Sequence, residues 1–141
     1  MTFALTPTFF RAYAVNGNSV VPINLLTRDI LSTDIIPLAG HPLGIGATQD
    51  GISVFVASLA NDISEINTTT NTVARQIDVN GHVTYDIAVT DVGGLRGYAA
   101  GGGDVLALDL GDNPQVVATI AIPPPARRDS WRSVWTGSVP T

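Results

Sequence analysis

One short phrase occurs three times in this chain, and its spacing constrains the fold more than any other feature. The phrase is apolar-x-x-apolar followed by Asn or Asp, and it reads Val20 to Asn24, Ile63 to Asn67 and Val105 to Asp109. Its last apolar residues, Ile23, Ile66 and Leu108, lie 43 and 42 positions apart. A second phrase precedes each copy: Ala12-Tyr13-Ala14-Val15, Val54-Phe55-Val56-Ala57 and Gly97-Tyr98-Ala99-Ala100. The aromatics Tyr13, Phe55 and Tyr98 are 42 and 43 apart. A third phrase follows each copy: Ile30 to Leu38, Val73 to Val79 and Val116 to Ile122. A fixed period of this length marks a stack of one repeated supersecondary unit.

Each period holds four short segments rich in Val, Ile, Thr and aromatics, separated by Gly, Asn, Asp and Pro. Those are strand and turn signals, and no helical period competes with them. Four strands in about 42 residues make one propeller blade. The second unit reads as strands at Leu43–Thr48, Ser53–Ala57, Asp62–Asn67 and Val73–Val79, with turns at Gln49-Asp50-Gly51 and Thr69-Thr70-Asn71. The expected fold is all-β, with three tandem four-stranded antiparallel blades at about residues 2–39, 40–80 and 81–123 and a tail at 124–141. Pro22 falls within the third strand of the first unit. Proline lacks the ladder N–H, so a bulged or less central strand is expected there.

The stretch Ser53 to Val79, SVFVASLANDISEINTTTNTVARQIDV, resembles the YVTN repeat family. Val116-Val117-Ala118-Thr119-Ile120 is similar to that family's fourth strand, and Phe3 to Pro7 followed by Arg11 to Val15 is similar to its first two strands. The resemblance covers about residues 2–123 and implies blades that normally close into a larger ring. Three blades in a row form an incomplete ring, and stacked repeats bury their faces only against neighbours, so two blade faces lack a cover. A homodimer completing six blades under two-fold symmetry is the first expectation for a partner.

Composition points the same way. Charged residues are only 13% of the chain, about half the usual share, and the mean hydropathy is +0.27. A surface so poor in charge favours self-assembly or incorporation in something larger. The net charge of −5 argues against nucleic-acid binding. It is unevenly spread: residues 1–126 balance to −7 and residues 127–141 to +2. That last segment follows Pro123-Pro124-Pro125 and carries Arg127, Arg128, Trp131, Arg132 and Trp135. Trp and Arg recur at interface hot spots, so these five are the candidate interaction residues. Neither a signal peptide nor an apolar run of membrane-span length is read, so no membrane insertion is expected. Cytoplasmic synthesis follows, with incorporation into a particle as one destination.

Chemistry is sparse. The chain has no cysteine, hence no thiol nucleophile or disulfide. His41 and His82 both follow Gly and precede a unit's first strand, with Asp86 nearby. These three are weak metal candidates, because two histidines without further support make a poor site. The acids Asp50, Asp91, Asp109 and Asp112 sit at turns, where Asx side chains bond local backbone. No catalytic residue, metal or cofactor is assigned. The expected role is a non-enzymatic structural or interaction module, such as a virion or surface-layer component. The alternatives are a propeller-channel enzyme, a lactonase or lyase, and a ligand-binding sensor module.

Overall fold

A computed structural model describes residues 2–6 and 10–125. Twelve strands form three four-stranded antiparallel sheets, each in simple sequential order. Blade 1 comprises β1 (Phe3–Thr6), β2 (Arg11–Asn16), β3 (Ser19–Asn24) and β4 (Ile36–Pro37). Blade 2 comprises β5 (Pro42–Ala47), β6 (Ser53–Ser58), β7 (Asp62–Asn67) and β8 (Thr72–Asp78). Blade 3 comprises β9 (Thr84–Thr90), β10 (Arg96–Gly101), β11 (Asp104–Asp109) and β12 (Gln115–Ala121). The first strands lie side by side, with β1 and β2 against β5 and both β5 and β6 against β9. This is an open run of three propeller blades.

The period-2 geometry of a strand sends successive side chains to opposite faces, and blade 2 uses both. Val54, Val56 and Ile66 join Tyr13, Val15, Val20 and Ile36 of blade 1 in one apolar cluster. Phe55, Ala57, Ile63, Ile77 and Val79 join Ile87, Ala99, Leu106, Leu108 and Leu110 of blade 3 in a second. Each large aliphatic or aromatic side chain so buried stabilises the stack by at most about 1.5–3 kcal/mol. Close approach of the first strands depends on glycine. A Cβ on Gly44 would sit 2.4 Å from Asp86 Cα, and one on Gly46 would sit 2.9 Å from the Ile87 carbonyl oxygen.

The repeated Asn/Asp has one job in all three blades. Asn24 Oδ1 accepts from the Leu26 and Thr27 amides at 2.9 and 3.2 Å. Asn67 Oδ1 accepts from Thr69 and Thr70 at 2.8 and 3.2 Å. Asp109 Oδ1 accepts from Gly111 at 2.9 Å. Each side chain thereby closes the turn that leads to the fourth strand.

Blade 1 departs from expectation in two places. The Pro22 strand is not bulged: β2 and β3 pair in continuous register from Arg11↔Asn24 to Asn16↔Ser19. The Pro22 carbonyl accepts from Leu31 N at 2.9 Å. A strand residue's N–H and C=O point to the same side, so the missing N–H faces the outer neighbour and spares the inner ladder. The cost falls on β4. The expected strand over Ile30 to Leu38 shrinks to an isolated Ile23↔Ile30 bridge, a 3-10 turn at Ser32–Asp34 and two residues of pairing.

Candidate interaction surfaces

The repeat lets each residue at an interface be matched with its equivalents in the other blades. Tyr13, Phe55 and Tyr98 occupy the same place, each on the face turned toward the next blade in the chain. Tyr13 and Phe55 are both 0% exposed. No blade among the described residues covers Tyr98, which is 46% exposed. Around it, cross-strand rows set Ala88, Tyr98, Ala107 and Ala118 beside Ala100, Val105 and Ile120. A shallow concavity of about 260 Å³ lies over this face, lined by Asp86, Ile87, Ala88, Tyr98, Ala100 and Val105. These neighbours make the exposed face around Tyr98 largely apolar.

Polar groups seal the rims of both internal interfaces. Arg11 Nη1 donates to the Thr68 carbonyl of blade 2 at 2.9 Å. Tyr13 Oη donates to Asn71 Oδ1 at 2.6 Å, and Asn71 Nδ2 donates back to Asp34 Oδ2 at 3.1 Å. Burial pushes the Tyr13 phenol above its ordinary pKa, with the nearby Arg11 opposing the shift. Between blades 2 and 3, Arg75 pairs with Glu65 through Nε. Its two Nη groups donate to Gly111 and Leu110 carbonyls at 2.8 and 2.9 Å. Ser53 Oγ donates to the other Glu65 oxygen at 2.7 Å. Thr68 and Leu110 are equivalent residues, so both interfaces end with a guanidinium on the same main-chain carbonyl of the following blade.

The three weak metal candidates, His41, His82 and Asp86, are not gathered into one cluster. His82 Nδ1 lies 3.0 Å from Asp104 Oδ2. Asp86 accepts from the Ile87 amide at 2.9 Å, and His41, exposed, accepts at its carbonyl from Leu59 N at 3.1 Å. Among the described residues no group of three or more His, Cys, Asp or Glu is placed to hold a metal ion. Two adjoining open clefts of about 340 and 230 Å³ run between blades 2 and 3 at the Gln49 and Asp91 turns. With its nitrogen turned inward, the Gln49 amide donates to both Asp91 oxygens at 2.8 and 2.9 Å. Asp50 accepts from the Thr48 hydroxyl at 2.6 Å and the Ile52 amide at 3.0 Å, which hold its pKa below the usual value. Asp50 and Asp109 thus bond their own turns, whereas Asp91 instead joins Gln49 across the blades. The proposed interaction residues Arg127, Arg128, Trp131, Arg132 and Trp135 lie outside the described residues.

Glu65 sits on the third strand, as the reading of Asp62–Asn67 implies, and is 8% exposed; its clamp with Arg75 was not anticipated. The register set at the Thr69 to Asn71 turn would place Glu65 opposite Ala74; a one-residue shift between Glu65 and Ile66 brings Arg75 there instead, which the sequence does not signal.

No protein-family model matches the chain, and no curated protein matches it in sequence. The fold is similar to a solved structure of Kuenenia stuttgartiensis hydrazine synthase, with a TM-score of 0.75 and 17% identity. That similarity covers 85% of this chain and 35% of the other, so the chain spans about a third of the length of the structure it matches. At such identity the likeness is one of fold.

Proposed function

We propose that the chain is a non-enzymatic assembly module of YVTN type, which pairs with a second copy to cover the blade faces that no described blade covers. The observation that carries this reading is the forward face of blade 3. Tyr98 stands where Tyr13 and Phe55 are wholly buried, yet it is 46% exposed amid apolar neighbours. The low charge content supports it, since 13% charged residues leave little polar surface to keep such a face apart from others. The basic, Trp-bearing segment after Pro125 adds a second contact in this reading, drawn to the acidic body of a neighbour.

Light scattering across a dilution series tests it, on the full chain and on a chain ending at Pro125. The full chain should show the mass of two copies at high concentration, and the shortened chain should dissociate at a higher concentration. A single-copy mass throughout would refute the reading, and equal behaviour of the two chains would remove the tail from it.

A further inference from the structure

The two internal interfaces define what a third one needs, because each uses the same faces in the same order. On the forward side, Arg96 is the equivalent of Arg11: Arg11 pairs with Asn24 in the ladder and Arg96 with Asp109. Tyr98 is the equivalent of Tyr13. Blade 3 therefore repeats the Arg-x-Tyr pair with which blade 1 grips blade 2. Arg96 now lies 3.1 Å from Asp109 Oδ1, with its side chain 37% exposed.

The receiving side has an equivalent too. Thr68 N bonds to the Ile52 carbonyl at 2.9 Å, Leu110 N to Leu95 at 3.0 Å, and Leu25 N to Phe10 at 2.9 Å. Leu25 thus stands where Thr68 and Leu110 present carbonyls to the guanidinium of the preceding blade, and it is 40% exposed. The match extends along the turn: Asn71, which receives the Tyr13 hydroxyl, has φ +53°, and its counterpart Arg28 has φ +65°. Leu5 corresponds to Ala47 and Val89 through their ladder partners Ala12, Val54 and Gly97. Ala47 and Val89 pack against the internal clusters, whereas Leu5 is 54% exposed.

We infer that two copies pair head to tail, with Arg96 and Tyr98 of blade 3 seated on the Leu25–Arg28 turn and the Leu5 row of the other copy's blade 1. The inference rests on the proposed assembly and names its geometry. The occupant is a second copy because blade 1 already carries the receiving surface, and the contact continues the two interfaces inside the chain. Arg96 has donors to spare for both Asp109 and the Leu25 carbonyl. Two such contacts, related by a two-fold axis, close both ends of the pair.

Complementation between two broken copies tests this. Tyr98→Arg spoils the forward face and Leu5→Glu spoils the receiving face. Both positions are exposed, and circular dichroism and the thermal midpoint check that each variant folds. Either variant alone should scatter as one copy. Their equimolar mixture should regain the two-copy mass, because one contact is then wild type and the other sets Arg against Glu. Arg96→Ala removes one charged hydrogen bond from each of the two contacts, so pairing should weaken about a hundredfold. Loss of pairing in Tyr98→Arg with full pairing in Leu5→Glu would mean forward faces meeting each other, which overturns head-to-tail pairing but not assembly. Failure of the mixture to recover overturns the geometry as well. A wild-type chain that never pairs overturns both.

Discussion

Blades 2 and 3 set an aromatic at the same point of their second strands, and their surroundings separate them. In β6, Val54, Phe55, Val56 and Ala57 are all 0% exposed, because a neighbouring blade covers each face. In β10, Ala99 is also 0% exposed, but Tyr98 between its neighbours is 46% exposed and Ala100 is exposed as well. A half-buried antiparallel strand normally alternates apolar and polar residues. Blade 3 does not alternate in that way: its second face carries Tyr98, Ala100, Val105 and Ile120. Its sequence is that of an interior blade, while no described blade covers its forward face.

The sharpest way to break this comparison is to truncate the equivalent aromatics. Phe55→Ala should destabilise the chain by about 3–5 kcal/mol, the usual range for a buried aromatic. Tyr98→Ala in dispersed single copies should cost under about 1 kcal/mol. Chemical denaturation at low protein concentration measures both. Similar losses would mean that the two faces are not in different surroundings.

Next in size is the clamp between blades 2 and 3. Arg75→Ala leaves Glu65 with only Ser53 and strips two carbonyls of their donor. Removing one member of a buried pair costs about 3–5 kcal/mol, and with Arg75 32% exposed a loss of about 2 kcal/mol is expected after solvent screening. Arg96→Ala, which removes a partly exposed pair on blade 3, should cost under about 1 kcal/mol in the single copy.

Alkaline pH probes the interface of blades 1 and 2. The folded chain holds the Tyr13 phenol neutral above its ordinary pKa. That contribution is complete below pH ~10, the unfolded value, and is lost as the pH rises toward the folded one. Stability should therefore fall above pH 10, and Tyr13→Phe should reduce that fall while costing about 1 kcal/mol at neutral pH for the lost hydrogen bond. The smallest effect belongs to the first turn of blade 2. Asp50 is locked there by Thr48 and Ile52, whereas blade 3 has Val92-Gly93-Gly94 in that place. The lowered Asp50 pKa gives stability above pH ~4 that is lost as the pH falls through the folded value. Asp50→Ala should lower the thermal midpoint slightly at pH 7, by less as the pH falls.

The fold was legible because its signals repeat. Three copies of each phrase fix the strand order, and the Asn24, Asn67 and Asp109 turns behave as their residue types imply. Blade 1's fourth strand was not legible. Ile30 to Leu38 has strand-like composition, but the missing Pro22 N–H on the outer side and the 3-10 turn at Ser32–Asp34 break its pairing. The exposed apolar face of blade 3 was legible as an uncovered blade end and not as residues. Equivalence between Arg11 and Arg96, or between Thr68 and Leu25, becomes visible only when the ladders give the register. His82 illustrates the same limit, since its partner Asp104 is distant in sequence and Asp86 turns to its own backbone.

Hydroxyl-radical labelling of Tyr98 tests the uncovered blade face most directly. Tyr13, 0% exposed within one chain, serves as the internal reference and should react little at any concentration. Tyr98 should react strongly in dilute protein and fall toward the Tyr13 level as concentration rises. Labelling of Tyr98 that stays equally strong at every concentration would contradict the claim that a second copy covers this face.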